Sequence, residues 1–163
     1  MRLSNRSKVP FYHFGLSVLV MLFVLGIVIY CIEEYKIQTL GNENLLLIAV
    51  PILLLFIFYV RGRQIFAYDS DGESLNFKNS NIISFLDKDV SDEFPKYKFL
   101  KYEVVNAILF KRLYITISSK KSNSVILRYD ISYLKDKEIK DLKFSLNKVL
   151  KANKESKIVE NQI

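Results

Sequence analysis

The feature that most constrains this chain is a charge-free run close to the N-terminus. From Phe11 to Ile32 it reads FYHFGLSVLVMLFVLGIVIYCI, twenty-two residues without a formal charge. At about 1.5 Å of rise per residue, a helix of this length crosses the roughly 30 Å hydrocarbon core of a bilayer. The run therefore predicts a transmembrane helix.

A second uncharged run, NLLLIAVPILLLFIFYV from Asn44 to Val60, lies near the lower length limit for a membrane span. Pro51 interrupts it, and membrane helices tolerate proline where neighbours or water satisfy the freed carbonyl. We interpret residues 1–62 as an N-terminal tail followed by a two-helix transmembrane hairpin, with spans at about 11–32 and 44–60.

Basic residues beside the spans predict the orientation. The N-terminal tail carries three of them, and Arg61 and Arg63 follow the second span, whereas the connector 33–43 has only Lys36. Both termini are therefore expected in the cytoplasm, in a multi-pass protein of the plasma (inner) membrane. Arg61 and Arg63 are expected to contact the membrane surface.

Cleavage of the first run as a signal peptide is not expected. Its apolar stretch exceeds the about 7 to 15 residues of a signal-peptide core, and no small-residue cleavage site follows it. The bulky Tyr30 before Cys31 also disfavours lipid attachment. A single cysteine forms no internal disulfide, so we interpret Cys31 as a small hydrophobe and His13 as an interfacial anchor.

After the arginines the pattern acquires the period of two that is typical of strands. QIFAYDS alternates, Asp71 and Gly72 predict a hairpin turn, and SLNFKNS resumes the alternation. KDVSDEFPK is interpreted as an acidic, irregular loop. Because strands usually run about 3 to 10 residues, we divide the β-prone region 97–120 near Lys101–Glu103 and again around Lys111 and Arg112.

A helical period appears only near the C-terminus. Apolar residues recur there at spacings of three and four and predict one amphipathic helix, with its buried stripe at Ile139, Leu142, Leu146, Val149 and Leu150. Asp136 is the expected N-cap. Residues 153–163 lack a stripe and are expected to form a flexible tail.

Six or seven short strands followed by one helix resemble a pleckstrin-homology-like (PH-like) domain, and the whole chain resembles bacterial PH-like membrane proteins. The residues that carry the resemblance are YDSDGESLNF and the segment 102–150. The resemblance implies a mainly β barrel at 63–152, closed by the C-terminal helix and held under a transmembrane hairpin.

The first hairpin turn departs from the phosphoinositide-binding members of that fold, which place basic residues there. Asp69, Asp71 and Glu73 occupy this turn and would repel a phosphorylated headgroup. Residues 61–163 hold twenty Lys or Arg against fourteen Asp or Glu, so weak, nonspecific contact with anionic lipid is expected.

The densest basic groups outside the helix mark a possible interaction surface, which comprises Lys111, Arg112, Lys120 and Lys121. An ordinary solvated turn face accounts for the same residues. Nucleic acid is not the expected partner, because Tyr114 and Tyr129 fit a strand pattern without forming an exposed stacking platform.

Enzyme signatures are missing from the sequence. There is one histidine and one cysteine, and neither a GxSxG motif nor a phosphate-binding loop occurs. The carboxylates Asp87, Asp89, Asp92 and Glu93 lack a metal-ligand spacing and are interpreted as a solvated acidic loop. We expect no catalytic residue, metal or cofactor.

Two functions remain after these exclusions. The first is a non-enzymatic interaction or scaffold module that presents a PH-like domain at the cytoplasmic face to another membrane or membrane-associated protein. The alternative is a small membrane transport, channel or toxin-immunity component whose hairpin does the work. The uncharged spans disfavour an ion pathway through this chain alone.

Overall fold

The computed structural model describes residues 1–37, 43, 45–83, 87–119 and 123–160. The chain forms two compact units. The apolar unit is Lys8–Val60, and the β-rich unit combines Met1–Ser7 with Arg61–Ile163. The N-terminal residues therefore belong with the C-terminal part of the chain, whereas the sequence grouped them with the apolar runs.

The apolar unit contains helices α1 (Val9–Ile32) and α2 (Leu46–Val60), and a π-helical turn, Glu33–Ile37, follows α1. Together with its flanking turns, α1 forms a helix from Arg6 to Tyr35, and the most apolar eighteen-residue stretch of this helix has a mean hydropathy of 2.8. Of the described helices, this one is long and apolar enough to cross a membrane. The second predicted span is a helix of only 15 residues.

A glycine lets the two helices of the apolar unit approach closely. Gly26 of α1 is buried, and a Cβ atom placed on it would lie 2.3 Å from the carbonyl oxygen of Leu47 in α2. Any larger side chain at this position would push the two backbones apart. No packing motif predicted this contact, since Gly15 and Gly26 are not spaced as a GxxxG pair.

The first sheet of the β-rich unit is antiparallel and has the order β1-β2-β3-β4. Its strands are β1 (Arg2–Ser4), β2 (Ile65–Asp69), β3 (Ser74–Ser80) and β4 (Val90–Pro95). The predicted hairpin of β2 and β3 is confirmed, with Gly72 in the left-handed region at φ +70°. The prediction of an irregular acidic loop at 88–96 is wrong for β4, which pairs with β3 along its length.

The second sheet is also antiparallel, with the order β5-β6-β7. Its strands are β5 (Phe99–Asn106), β6 (Lys111–Ser119) and β7 (Asn123–Asp130). The predicted break near Lys101–Glu103 is wrong, because β5 continues through it with only a register shift between Phe99 and Lys101. The real break is the turn 107–110, just before Lys111.

Helix α3 (Asp136–Glu160) follows the second sheet. The predicted stripe is confirmed: Ile139, Leu142, Leu146 and Val149 are buried and Leu150 is partly buried. Lys135 replaces Asp136 as the N-cap, because its N–H donates to Oε2 of Glu138 at 2.6 Å in the manner of a capping box. The predicted flexible tail is helical as far as Glu160, and residues 161–163 lie outside the described residues.

The core of the β-rich unit is dominated by aromatic rings that join both sheets. Phe77 of β3 lies at the centre, stacked on Tyr129 of β7 with a centroid distance of 4.9 Å and on Phe94 of β4 at 5.7 Å. The buried stripe of α3 belongs to the same cluster. Alternation along β2 aims Phe66 and Tyr68 inward, as the period of two predicts.

Candidate functional site

A buried carboxylate organises the end of the β-rich unit where the chain emerges from α2. Asp130, the last residue of β7, accepts a hydrogen bond from Nε of Arg112 at 3.2 Å. Its other oxygen lies 3.7 Å from the guanidinium of Arg63, which also pairs with Asp87 at 2.6 Å. Opposite charges therefore compensate one another in this buried cluster.

The short segment after α2 is shaped around the same carboxylate. Gly62 has φ +77°, and a Cβ atom added to it would lie 2.5 Å from Cγ of Asp130. The backbone N–H of Arg63 donates to Oδ2 of Asp130 at 3.3 Å. Glycine is required here for two reasons: the left-handed backbone and the close carboxylate.

Two more side chains connect this segment to the sheets. Asn79 of β3 donates to the carbonyl oxygens of Ile65 and Asp130 and accepts from the N–H of Asp130 at 2.8 Å. The hydroxyl of Ser132 donates to the carbonyl oxygen of Arg61 at 2.7 Å and accepts from the N–H of Lys111 at 3.0 Å. Residues 61–65 are therefore held against both sheets.

The chain that enters α1 is held by the same sheet as the chain that leaves α2. Strand β1 pairs with β2, with Ser4 opposite Ala67. Asn5 is buried, donates its amide to the carbonyl oxygen of Gln64 at 2.7 Å and accepts from the N–H of Phe66 at 2.8 Å. The residues just before and just after the apolar unit thus lie side by side.

The predicted basic residues have different environments. Arg63 is buried among carboxylates and is not available to lipid headgroups, so its predicted membrane-surface role does not fit this position. Arg61 is exposed, with its guanidinium 5.0 Å from the centroid of the Tyr133 ring. Its expected role at the membrane surface stays a prediction.

The predicted interaction surface is only partly described. Lys111 pairs with Asp136 at 2.8 Å, and Arg112 lies over the ring of Phe110 at 4.2 Å in addition to its contact with Asp130. The ion pair with Lys111 lowers the pKa of Asp136. Lys120 and Lys121 lie outside the described residues.

The acidic first turn has basic partners that its local sequence does not reveal. Nε of Arg2 lies 2.9 Å from Asp69 and 3.3 Å from Asp71, although Arg2 is far away along the chain. A hydrogen bond from the Met1 ammonium lowers the pKa of Asp71. The carboxylates are thus partly neutralised, and a phosphate would have to compete with them for the same cations.

The carboxylates predicted to form a solvated loop mostly have partners within the protein. Asp87 pairs with Arg63, Glu93 accepts from the hydroxyl of Ser74 at 2.8 Å, and Asp92 accepts from the buried hydroxyl of Tyr129 at 2.7 Å. Burial and this hydrogen bond raise the pKa of Tyr129. These acids stabilise the fold around them.

Helix α3 presents an apolar side chain that the sequence analysis did not select. Phe144 is 74% exposed. It lies between two adjoining concave regions along the helix, one of about 370 Å³ and one of about 570 Å³. Both are also lined by Lys148 and Ala152. The groove combines an apolar centre with basic walls, a combination suited to a partner with apolar and acidic side chains.

Metal chemistry has no evident site in the part of the chain that is described: no group of three or more His, Cys, Asp or Glu side chains is placed to hold an ion there.

No protein family, curated protein or solved structure matches the chain.

Proposed function

We propose that this protein is a membrane-anchored, non-enzymatic interaction module. In this proposal α1 and α2 form a transmembrane hairpin, and the β-rich unit is a PH-like domain at the cytoplasmic face that binds another membrane or membrane-associated protein. The observation that carries the proposal is the exposed apolar surface of α1.

Helix α1 is apolar on all sides and is hardly covered by the rest of the protein. Only 6% of its most apolar eighteen-residue stretch is buried. The core helix of a soluble protein would be mostly buried, because exposed apolar surface costs about 25 cal/mol per Å² in water. Acyl chains of a bilayer would cover this surface at no such cost.

The pairing of β1 with β2 favours two crossings of the membrane over one. Asn5 and Gln64 are hydrogen-bonded to each other, and α1 begins and α2 ends four residues from them. From Asn5 to Val9 the chain runs through the 3-10 turn Arg6–Lys8 and covers about 8 Å at roughly 2 Å per residue, whereas the four residues from Gln64 back to Val60 reach at most about 14 Å. The two linkers together are shorter than the roughly 30 Å of the hydrocarbon core. The apolar unit should therefore begin and end on the same side.

The short length of α2 is compatible with this hairpin. Its 15 residues extend for about 22 Å at 1.5 Å per residue. Local thinning of the bilayer accommodates such a mismatch at a modest energetic cost. Removal of α1 as a signal peptide would also remove β1 and Asn5 from the first sheet, which supports its retention.

The order of elements supports a PH-like domain with a protein partner. Among the described residues, seven strands in two antiparallel sheets come before α3, whose apolar stripe joins the common core. Asp69 and Asp71 of the first turn pair with Arg2, so a phosphorylated lipid would have to compete with these carboxylates for it. The groove around Phe144 is the preferred protein-binding surface.

Cysteine labelling in intact bacterial cells that express the protein tests the topology. In a Cys31→Ser background, we expect a membrane-impermeant reagent to modify Tyr35→Cys without permeabilisation. Ser4→Cys and Lys137→Cys should react only after permeabilisation. Reaction of Ser4→Cys and Lys137→Cys on opposite sides would exclude the hairpin, and the reverse pattern for all three would exclude the cytoplasmic orientation.

Photo-crosslinking from native membranes tests the interaction. A photoreactive amino acid at Phe144 should give a discrete crosslinked species that contains a second membrane-associated protein. The matched control is the same substitution at Lys143, which is exposed but does not line the groove. Equal crosslinking from both positions, or none from Phe144, would contradict a partner in this groove.

A further inference from the structure

The turn between β5 and β6 carries apolar side chains where polar residues are usual. The N–H of Ala107 donates to the carbonyl oxygen of Phe110 at 2.9 Å, so Ile108 and Leu109 form a two-residue loop. Tight hairpin loops favour Asn, Asp and Gly. Ile108 is 103% exposed and Leu109 is 42% exposed. A fully exposed side chain contributes no packing, so the fold of the β-rich unit does not require isoleucine here.

The same turn lies at the end of the β-rich unit where the chain enters it from α2. Lys111 follows the turn, and the hydroxyl of Ser132 bridges its N–H to the carbonyl oxygen of Arg61. Arg61 directly follows the last residue of α2. Leu109 is two residues before Lys111, a reach of at most about 7 Å.

The residues around the turn suit a membrane interface. Arg61 is exposed beside the ring of Tyr133, and Lys111 and Arg112 begin the strand that follows. The exposed carboxylates Asp136 and Asp87 at this end are paired with Lys111 and Arg63. Basic groups next to apolar side chains favour the boundary between headgroups and acyl chains, where each kind of group meets its preferred surroundings.

We propose that Ile108 and Leu109 insert into the lipid boundary of the leaflet that α2 leaves, as an additional membrane contact of the β-rich unit. This inference rests on the proposed membrane anchoring of α1 and α2. It adds that the domain is held against the bilayer in one orientation, which leaves the opposite end, with the turn 70–73 and Tyr97, facing the cytoplasm.

Tryptophan fluorescence tests the proposal, because the chain contains no tryptophan. Three single variants of the full-length protein, Ile108→Trp, Tyr97→Trp and Met21→Trp, are reconstituted in vesicles with and without lipids brominated along the upper acyl chain. Tyr97 is the matched control, since it is exposed at the other end of the β-rich unit. We expect bromination to reduce the emission of Ile108→Trp and Met21→Trp and to leave that of Tyr97→Trp unchanged.

Each alternative result has a separate meaning. Loss of emission for Met21→Trp alone would overturn insertion of the turn while leaving the anchored helix in place. Equal loss for Ile108→Trp and Tyr97→Trp would overturn the single orientation. No loss for Met21→Trp would overturn the proposed anchoring and, with it, this inference.

Discussion

The two units of this protein bury opposite kinds of residue. In the β-rich unit, aromatic and aliphatic side chains fill the interior, and the charged groups that enter it, such as Arg63 and Asp130, are paired. Among its described residues, the apolar unit buries only Tyr12, Gly26, Glu33 and Pro51, while its large hydrophobic side chains face outward. The apolar unit thus exposes the kind of side chain that the β-rich unit buries, a pattern expected of helices surrounded by lipid.

The largest expected effect is that of a charge placed in the core of the β-rich unit. Leu142→Asp should destabilise that unit by more than about 4 kcal/mol and unfold it, because no partner for the carboxylate exists among the apolar residues around Leu142. Urea unfolding of the full chain in micelles, followed by near-ultraviolet circular dichroism, measures this. Lys140→Asp, on the exposed face, is the control. Equal stability of the two variants would show that α3 does not complete the core.

The second largest expected effect is that of removing the buried carboxylate of Asp130. Asp130→Asn should cost about 3 to 5 kcal/mol, because it leaves Arg63 and Arg112 without a shared negative partner. Asp136→Asn, which breaks only the exposed pair with Lys111, should be much the milder change, because solvent screens an exposed ion pair. The same unfolding measurement decides between them, and a similar cost for both would mean that the buried cluster contributes little.

Two residues with similar exposure sharpen the contrast between the units. Val24 in α1 is 52% exposed and Ile126 in β7 is 66% exposed. Val24→Asp should reduce membrane insertion by about 2.5 to 3.5 kcal/mol, because it places a charge in hydrocarbon. Ile126→Asp should change neither insertion nor unfolding appreciably. Carbonate extraction of membranes reports insertion, and an unaffected Val24→Asp would count against lipid around α1.

The smallest expected effect concerns the hydroxyl of Tyr129. Its pKa is raised in the folded protein, so the folded state keeps a proton that the unfolded state releases above about pH 10. The contribution of this group to the free energy of unfolding is fully present below about pH 10 and is lost as the pH rises further. Tyr129→Phe should remove this loss and cost about 1 kcal/mol at neutral pH through its hydrogen bond to Asp92.

Unfolding midpoints at several alkaline pH values measure this effect. Tyr97→Phe is the control, because Tyr97 is exposed. Burial also raises the pKa of Tyr68. The Tyr129→Phe variant should therefore still lose part of its stability at alkaline pH. An unchanged pH dependence in Tyr129→Phe would contradict the role assigned to this hydroxyl.

Local periodicity was sufficient to predict several elements of this protein. The long apolar helix of the first run, the alternation and Asp-Gly turn of β2 and β3, and the stripe of α3 are confirmed. Each of these patterns repeats within a few residues, and the side chains that share a face are set by the geometry of the element itself.

The tertiary structure decided what depends on distant partners. Arg2–Ser4 is a strand because it pairs with the edge of β2. The segment Val90–Pro95 is a strand despite its acidic residues because β3 pairs with it. Position 26 requires glycine because the backbone of Leu47 lies against it. Arg63 is buried because Asp130 and Asp87 compensate its charge. The sequence alone determined which segments are apolar throughout and which alternate, since hydrophobicity is a property of each residue. Which residues pair depends on chain segments that only the folded structure brings together, and no local period records that proximity.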